Sequence, residues 1–308
     1  MCKEVVLSTE KLTKKYGNIT TVNSVDLHVK KGRIYGLLGR NGAGKTTIMK
    51  MILGLTTISD GRVQIFGEDL YGNQEKIYPQ IGSIIEVPGF YGNLTASENL
   101  EIFARLRGSV NKKRIMEVLS VVGLEKEKSK TFASYSLGMK QRLGIANALM
   151  NDPKILILDE PTNGLDPIGI AEMRELLIRL CHEEGKTLII SSHILSEMAL
   201  LADDIGIINK GALLEECTLQ ELQKKAEQYI LIRTSKQDLA EKTLKNKLGV
   251  ERMERAADGG IRIYDLSKTI EEVGLCLYKN NLPLSHLELC ADNLENYFKK
   301  TTGGVGIA

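Results

Sequence analysis

One segment of the sequence, "GRNGAGKTT", combines glycines, a lysine and two threonines at the spacing of a phosphate-binding loop. Its residues are Gly39, Arg40, Asn41, Gly42, Ala43, Gly44, Lys45, Thr46 and Thr47. Glycines let consecutive backbone N–H groups converge on an anion, and the N-terminus of a following helix adds partial positive charge. Lys45 can neutralise the β- and γ-phosphates of a nucleotide, and the Thr46 hydroxyl suits a Mg²⁺ ligand. The alternative, an ordinary glycine-rich turn, is disfavoured by the strand predicted before the loop and the helix predicted after it.

Two adjacent acids, Asp159 and Glu160, end a nearly continuous apolar run, "KILILDEP". Such a run is typical of a strand buried on both faces, and the carboxyl ends of parallel strands meet at one edge of a sheet. We therefore expect both acids beside the phosphate-binding loop. Asp159 is placed to hold Mg²⁺, and Glu160 can polarise an attacking water as a general base. A buried strand can also end in acids without any chemistry, an alternative that the loop upstream disfavours.

Between these motifs, "SYSLGMKQRLGIANAL" places a serine and a glycine before an amphipathic helix. Composition alone would allow an ordinary capped helix. The order of the motifs, however, resembles that of ATP-binding subunits of ABC transporters over about residues 3–220. "SLGMKQR" is similar to the family signature, LSGGQ-R, although Met139 and Lys140 depart from its commonest Gly-Gln form. The resemblance implies that Ser136 and Gly138 contact the phosphates of ATP held by a second copy of the chain.

The same resemblance assigns roles to three further residues. Tyr16 in "KKYGN" matches the aromatic residue that stacks on adenine, the alternative being a packed tyrosine at a strand end. Asp166 in "NGLD" matches the loop that couples the two composite sites of a dimer. His193 in "ISSHI" matches the switch histidine that contacts the γ-phosphate. The resemblance thus implies an ATPase that uses ATP and Mg²⁺, with Lys45, Glu160 and His193 as its catalytic residues.

Glu86 in "IIEVPGFY" stands where most of these ATPases have a glutamine that contacts Mg²⁺ and water. A carboxylate can also ligate Mg²⁺, but once ionised it donates no hydrogen bond. Glutamate here, together with "YSLGMKQRLGIA", is similar to the subgroup that protects bacteria against bacitracin and lantibiotics. The resemblance implies export or removal of a peptide antibiotic, with the segment 87–98 facing a permease. Phe90 and Tyr91 could anchor in the permease or pack within the subunit. For Glu86, the alternative is an ordinary acid on the protein surface.

The composition limits the classes of partner. With 41 Lys and Arg against 39 Asp and Glu, the net charge of +2 disfavours nucleic acid as the main partner. No apolar run approaches the roughly 18 residues that span a bilayer, and no secretion signal starts the chain. We therefore expect a cytoplasmic homodimer, peripheral on the inner face of the membrane, that drives a permease on a separate chain. The alternative is a soluble ABC ATPase that acts on nucleic acid or serves as a regulatory switch.

The five cysteines are dispersed along the chain, which suits a reducing compartment. The run "CHEE" at residues 181–184 has residue types that bind metals. Because neighbouring residues on a helix point in different directions, we interpret this run as a solvated helix end.

Alternating strands and helices predict an α/β domain of the P-loop NTPase (ABC ATPase) type over residues 1–222. Its mostly parallel central sheet is joined by an antiparallel β subdomain, with strands at Val5–Leu12 and Val25–Val29, and by a helical subdomain at about 87–150. Thr95 and Glu98 are spaced for a capping box. Residues 223–300 predict a small α+β accessory domain, and residues 301–308 a disordered tail.

Overall fold

The computed structural model describes residues 4–86, 89–108, 110–127, 129–225, 228–256 and 259–291. These residues form two compact units, the first ending at Leu219 and the second beginning at Gln220. The boundary expected from the sequence lies close by, at residue 222. The predicted tail, 301–308, falls outside the described residues.

The described part of the first unit contains eleven strands, seven complete α-helices and three short 3₁₀ helices. Its strands are β1 (Val5–Tyr16), β2 (Ile19–Val25), β3 (His28–Lys30), β4 (Ile34–Leu38), β5 (Asp60–Ile65), β6 (Glu68–Asp69), β7 (Ile81–Ile84), β8 (Ile155–Leu158), β9 (Thr187–Ser192), β10 (Asp204–Asn209) and β11 (Ala212–Thr218). Its helices are α1 (Lys45–Ile52), α2 (Gln74–Ile77), α3 (Ala96–Leu106), α4 (Lys112–Val121), α5 (Leu137–Leu149), α6 (Pro167–His182) and α7 (Leu195–Met198). A further helix, α8 (Leu219–Lys225), begins at the last residue of this unit.

The central sheet has six strands in the order β11-β10-β4-β9-β8-β7. All neighbours are parallel except β10 and β11, which form an antiparallel hairpin. Every residue of β4, β8 and β9 is buried, because helices and the second sheet cover both faces. The predicted parallel α/β sheet is therefore confirmed. Its carboxyl edge carries the residues that follow β4, β7, β8 and β9.

The second sheet of this unit is antiparallel, in the order β2-β1-β5-β6 with β3 paired to β1. The predicted strand bounds were wrong here. The first strand continues to Tyr16, the chain turns at Gly17 and Asn18, and β2 ends at Val25, where the second strand was predicted to begin. The run "ITTV" explains the difference, because β-branched residues favour the extended backbone.

Three helices, α3 to α5, form the predicted helical part of the unit. The capping box that begins α3 is confirmed: the Thr95 hydroxyl accepts the Glu98 backbone N–H, and the Glu98 carboxylate accepts the Thr95 N–H. A single side-chain hydrogen bond caps each of the next two helices: the Asn111 side chain accepts the Arg114 N–H at α4, and the Ser136 hydroxyl accepts the Met139 N–H at α5. The cap of α5 fixes the start of the helix that carries the predicted site residues Ser136 and Gly138.

The second unit has the order β-α-β-β-α-β of a split βαβ, ferredoxin-like fold. Its elements are β12 (Gln228–Arg233), α9 (Gln237–Leu248), β13 (Met253–Arg255), β14 (Ile261–Ile263), α10 (Ile270–Lys279) and β15 (His286–Ala291). The four strands are antiparallel in the order β13-β14-β12-β15. Apolar residues of both helices and of the sheet form one buried core, so the predicted α+β class is confirmed.

In the described parts of both units, no helix is both long enough and apolar enough to cross a membrane.

Candidate active site

The loop between β4 and α1 has a backbone path that only glycine allows at two positions. At Gly39, a Cβ would lie 2.5 Å from the Ile208 carbonyl oxygen. At Gly44, φ is +109°, and a Cβ would lie 3.1 Å from the Thr21 carbonyl oxygen. Among the described residues, no side chain caps α1 where it begins at Lys45. A helix N-terminus reached through such a loop is a site for an anion, so the backbone geometry fits a phosphate group.

Lys45 is the buried cation of this loop, with 5% of its surface exposed. Its Nζ donates to the carbonyl oxygens of Gly39 at 2.6 Å and Arg40 at 3.3 Å. It also lies 3.2 Å from Glu160 Oε1. These oxygen contacts hold the ammonium at the centre of the carboxyl edge of the sheet.

Thr46 and Asp159 are brought together from α1 and the end of β8. The Thr46 hydroxyl donates to Asp159 Oδ2 at 2.7 Å, and the Ser191 hydroxyl donates to Asp159 Oδ1 at 2.5 Å. Hard oxygen donors in a partly buried position next to a phosphate-type loop are the set that Mg²⁺ favours. The donor chemistry of Thr46 and Asp159, two of the three predicted ligands, thus fits that ion.

Glu160 lies between Lys45 and His193. Its backbone is in the left-handed region, with φ of +48°, and its N–H donates to Ser191 Oγ at 2.8 Å. Its Oε2 lies 2.8 Å from His193 Nδ1. Both side chains are about one-fifth exposed, at 20% and 21%. A carboxylate and an imidazole so joined can accept and pass a proton at a site that water reaches.

Glu86 follows β7 at the same sheet edge, and it too has a left-handed backbone, with φ of +68°. Its Oε1 accepts a hydrogen bond from Lys50 Nζ at 2.7 Å. Lys50 lies on α1, one turn after Thr46. This hydrogen bond lowers the pKa of Glu86 and raises the pKa of Lys50. Glu86 is therefore paired with the helix of the phosphate-type loop. The next two residues, 87 and 88, lie outside the described part of the chain.

Tyr16 ends β1 with 51% of its surface exposed. The Lys14 ammonium lies 4.8 Å from the ring centroid, and the hydroxyl lies 3.5 Å from Thr56 Oγ1. A ring this exposed does not fit the alternative of a packed tyrosine. Its surface is available to stack on a planar group.

Ser136, Gly138 and Asp166 occupy two helix starts that lie against each other. Ser136 is exposed, and its hydroxyl accepts the Met139 N–H at 3.3 Å. The Asp166 carboxylate accepts the Gly169 N–H at 3.0 Å and so caps α6. A Cβ at Gly138 would make ordinary contact with Leu165 Cδ2, at 3.7 Å. Packing within this chain therefore does not explain why a glycine stands at position 138.

The loop that precedes α6 packs closely on the first turn of α5. At Gly164, φ is +77°, and a Cβ would lie 3.1 Å from Leu137 Cδ2. The segment "NGLD" and the first turn of α5 are thus in contact within one chain.

Phe90 and Tyr91 differ in their surroundings: one packs within the subunit and the other is exposed. The Phe90 ring packs edge-on against Phe103 at 5.4 Å and Phe132 at 5.2 Å, whereas Tyr91 is 56% exposed. Asn99, fully buried, holds the backbone beside them: its amide accepts the Tyr91 N–H and donates to the Tyr91 carbonyl. Phe90 is therefore held by ring contacts within the subunit, whereas Tyr91 lies on its surface.

Three residues of this region were missed by sequence reasoning: Ser191, Lys50 and Asn99. Ser191 bonds both predicted acids after β8, and its place near the end of the buried strand before His193 was the signal that could have identified it. Lys50 carries no such signal, because its partner Glu86 lies 36 positions further along the chain. The partners of Asn99 lie within eight positions of it, but they are backbone groups, which no residue type marks.

Comparison with protein families gives a match to the ABC transporter model over residues 22–163. The chain is 51% identical, over the full length of both proteins, to the bacitracin transport ATP-binding protein BcrA of Enterococcus faecalis. It is also 46% identical to the lantibiotic transport ATP-binding protein SrtF of Streptococcus pyogenes, over 68% of this chain and 90% of that protein.

A solved ATP-binding subunit of an ABC transporter has the same fold as the first unit. It aligns with a TM-score of 0.62 and 30% identity, over 71% of this chain and 92% of that one.

Proposed function

Because the chain belongs to the ABC transporter family of ATP-binding proteins, we propose that it powers the removal of a peptide antibiotic through a separate membrane permease. It is an ATPase, as that family implies. The observation that carries the choice of substrate is the 51% identity with a bacitracin transport ATP-binding protein over the whole of both chains. The match extends through the second unit, which makes it more specific than a match of the ATPase unit alone.

In this proposal, the loop 39–47 holds the phosphates of ATP through its backbone N–H groups and Lys45. The half-exposed ring of Tyr16 stacks on adenine. The oxygens of Thr46, Asp159 and Glu86 would hold Mg²⁺, which, when bound, neutralises charge on the phosphates.

Hydrolysis needs a group that removes a proton from the attacking water. Glu160 is proposed as this base, because its carboxylate lies 3.2 Å from the buried Lys45 ammonium and has a hydrogen-bonded neighbour in His193. The imidazole orients the carboxylate and contacts the γ-phosphate. Ser191 positions Glu160 through its backbone N–H and Asp159 through its carboxylate.

A second copy of the chain is proposed to complete each site. Ser136 and Gly138 would contact the γ-phosphate bound by the partner, which agrees with the exposure of Ser136. The segment containing Asp166 would lie between the two sites.

The permease is proposed to contact the segment that follows Glu86, where Tyr91 is exposed and Asn99 fixes the backbone. We propose that the subunit lies in the cytoplasm, against the inner face of the membrane. The alternative of a nucleic-acid ATPase is disfavoured by a net charge of +2, which gives no excess of cations for phosphate backbones. The alternative of a binding-only switch is disfavoured by Glu160 and His193, which such a switch does not need.

Deletion of the gene and growth of the strain with bacitracin, a lantibiotic and an unrelated drug test this proposal. We expect increased sensitivity to a peptide antibiotic alone, restored by the wild-type chain but not by Lys45→Ala. Equal sensitivity of the deletion and parent strains to every peptide antibiotic would overturn the choice of substrate. An ATPase that is inactive even with its permease would overturn the mechanism.

A further inference from the structure

We propose that Cys181, His182 and Asp203 form a binding site for Zn²⁺, at the edge of the central sheet opposite the one that carries Lys45. One ligand atom from each residue lies within 4.8 Å of the other two. Cys181 and His182 end α6, and Asp203 directly precedes β10. The sequence-based interpretation of "CHEE" as a solvated helix end is incomplete, because folding adds a carboxylate from 21 positions further along the chain.

The separations suit tetrahedral coordination. Two ligands at about 2.0–2.1 Å from Zn²⁺ lie about 3.4 Å apart in a tetrahedron. In the structure, His182 Nε2 and Asp203 Oδ2 are 3.4 Å apart. A thiolate at about 2.3 Å would be about 3.6 Å from each of them, so closure of the site needs movements of about 1 Å.

The surroundings fit a metal site as well as the ligands do. Asp203 Oδ2 also accepts the backbone N–H of Ile34 at 2.9 Å, and the Asp203 N–H donates to the Ile34 carbonyl at 2.8 Å. Such outer hydrogen bonds orient a ligating carboxylate. The C-terminus of α6, a helix of 16 residues, carries partial negative charge that favours a cation.

The mixture of ligand types selects the ion. A thiolate, an imidazole and a carboxylate together favour Zn²⁺ over Mg²⁺ or Ca²⁺, which take oxygen ligands. Cys181 is 2% exposed, while the His182 side chain is 48% exposed, so the fourth position faces water. The ion would fasten the end of α6 to the start of β10, and so stabilise the first unit.

Cobalt(II) titration of the chelator-treated full chain, without nucleotide or Mg²⁺, tests this site. We expect one ion per chain and a near-ultraviolet charge-transfer band from sulfur to cobalt, both displaced by Zn²⁺. The Cys181→Ser variant should lose the band and at least about 100-fold in affinity, because it removes a direct ligand, whereas loss of an outer partner alone costs about 10–100-fold. The matched control Cys217→Ser should keep both.

Two further measurements keep the proposal testable if Cys181→Ser fails to fold. His182→Gln changes an exposed side chain, and we expect it to fold and to weaken binding by at least about tenfold. Zn²⁺ should raise the melting temperature of the wild-type chain but not that of His182→Gln. A thiolate band that survives in Cys181→Ser, or wild-type binding with no thiolate band, would overturn the proposal.

Discussion

The contacts of Glu160 make one substitution especially informative. We expect Glu160→Gln to bind ATP but to hydrolyse it about 10²–10⁴ times more slowly, the contribution typical of a general base. The amide is nearly isosteric with the carboxylate, so the left-handed backbone at this position and the bond from its N–H to Ser191 should survive.

The same variant should bind ATP more tightly. Glu160 Oε1 lies 3.2 Å from Lys45 Nζ, so the carboxylate competes with a phosphate for the buried ammonium. Removing one partner of a partly exposed ion pair changes the free energy by about 1 kcal/mol, which corresponds to about fivefold in Kd. A trapped ATP-bound dimer should then accumulate.

Phosphate release at saturating ATP, a nucleotide-binding titration and gel filtration with ATP measure these three effects. Glu172→Gln is the matched control, because Glu172 is an exposed carboxylate paired with Arg142 on another helix. It should leave rate and affinity unchanged. Normal turnover by Glu160→Gln would rule out Glu160 as the base, and weaker binding of ATP would contradict the competition for Lys45.

Four other substitutions test separate parts of the structure. Glu86→Gln should retain ATP binding but change metal preference or coupling to transport; unchanged Mg²⁺ and Mn²⁺ dependence with unchanged peptide resistance would contradict this. Gly138→Ala should keep the melting temperature, because its Cβ has room, yet lower the ATPase rate of the dimer; equal rates would count against a phosphate contact. Asn99→Ala should lower the free energy of unfolding in urea by about 2–3 kcal/mol, because it leaves the Tyr91 backbone groups unpaired. The same variant should reduce peptide resistance more than ATPase activity. Burial raises the pKa of the Tyr35 phenol well above its ordinary value. The neutral phenol therefore stabilises the folded state fully below about pH 10, and this contribution is lost as the pH rises. Tyr35→Phe should flatten the alkaline fall in unfolding free energy by about 1.4 kcal/mol per pH unit, measured by urea titration at several pH values.

Apolar runs in the sequence predicted the central sheet well, because a strand buried on both faces consists almost entirely of apolar residues. The strands that precede Gly39, Asp159 and His193 all fall in the parallel sheet. Loop and acids could be placed together because parallel strands share a carboxyl edge. The antiparallel sheet was harder, since alternation placed the end of the first strand at Leu12, whereas β1 continues to Tyr16.

Contacts between distant residues could not be predicted in this way. Lys50 pairs with Glu86 across 36 positions, and Asp203 joins Cys181 and His182 only after β10 is placed in the sheet. No short motif encodes such partners, since register and helix packing decide them.

The packing of Leu137 on Gly164 would couple the two nucleotide sites of the proposed dimer. Only three residues separate Glu160 from Gly164, so a shift in the peptide after Glu160 would move the surface on which α5 begins. The helix start carrying Ser136 would tilt with it. In the proposed dimer, each chain would thus couple hydrolysis of its own nucleotide to its contact with the nucleotide of its partner, and steric contact would favour hydrolysis at both sites in step.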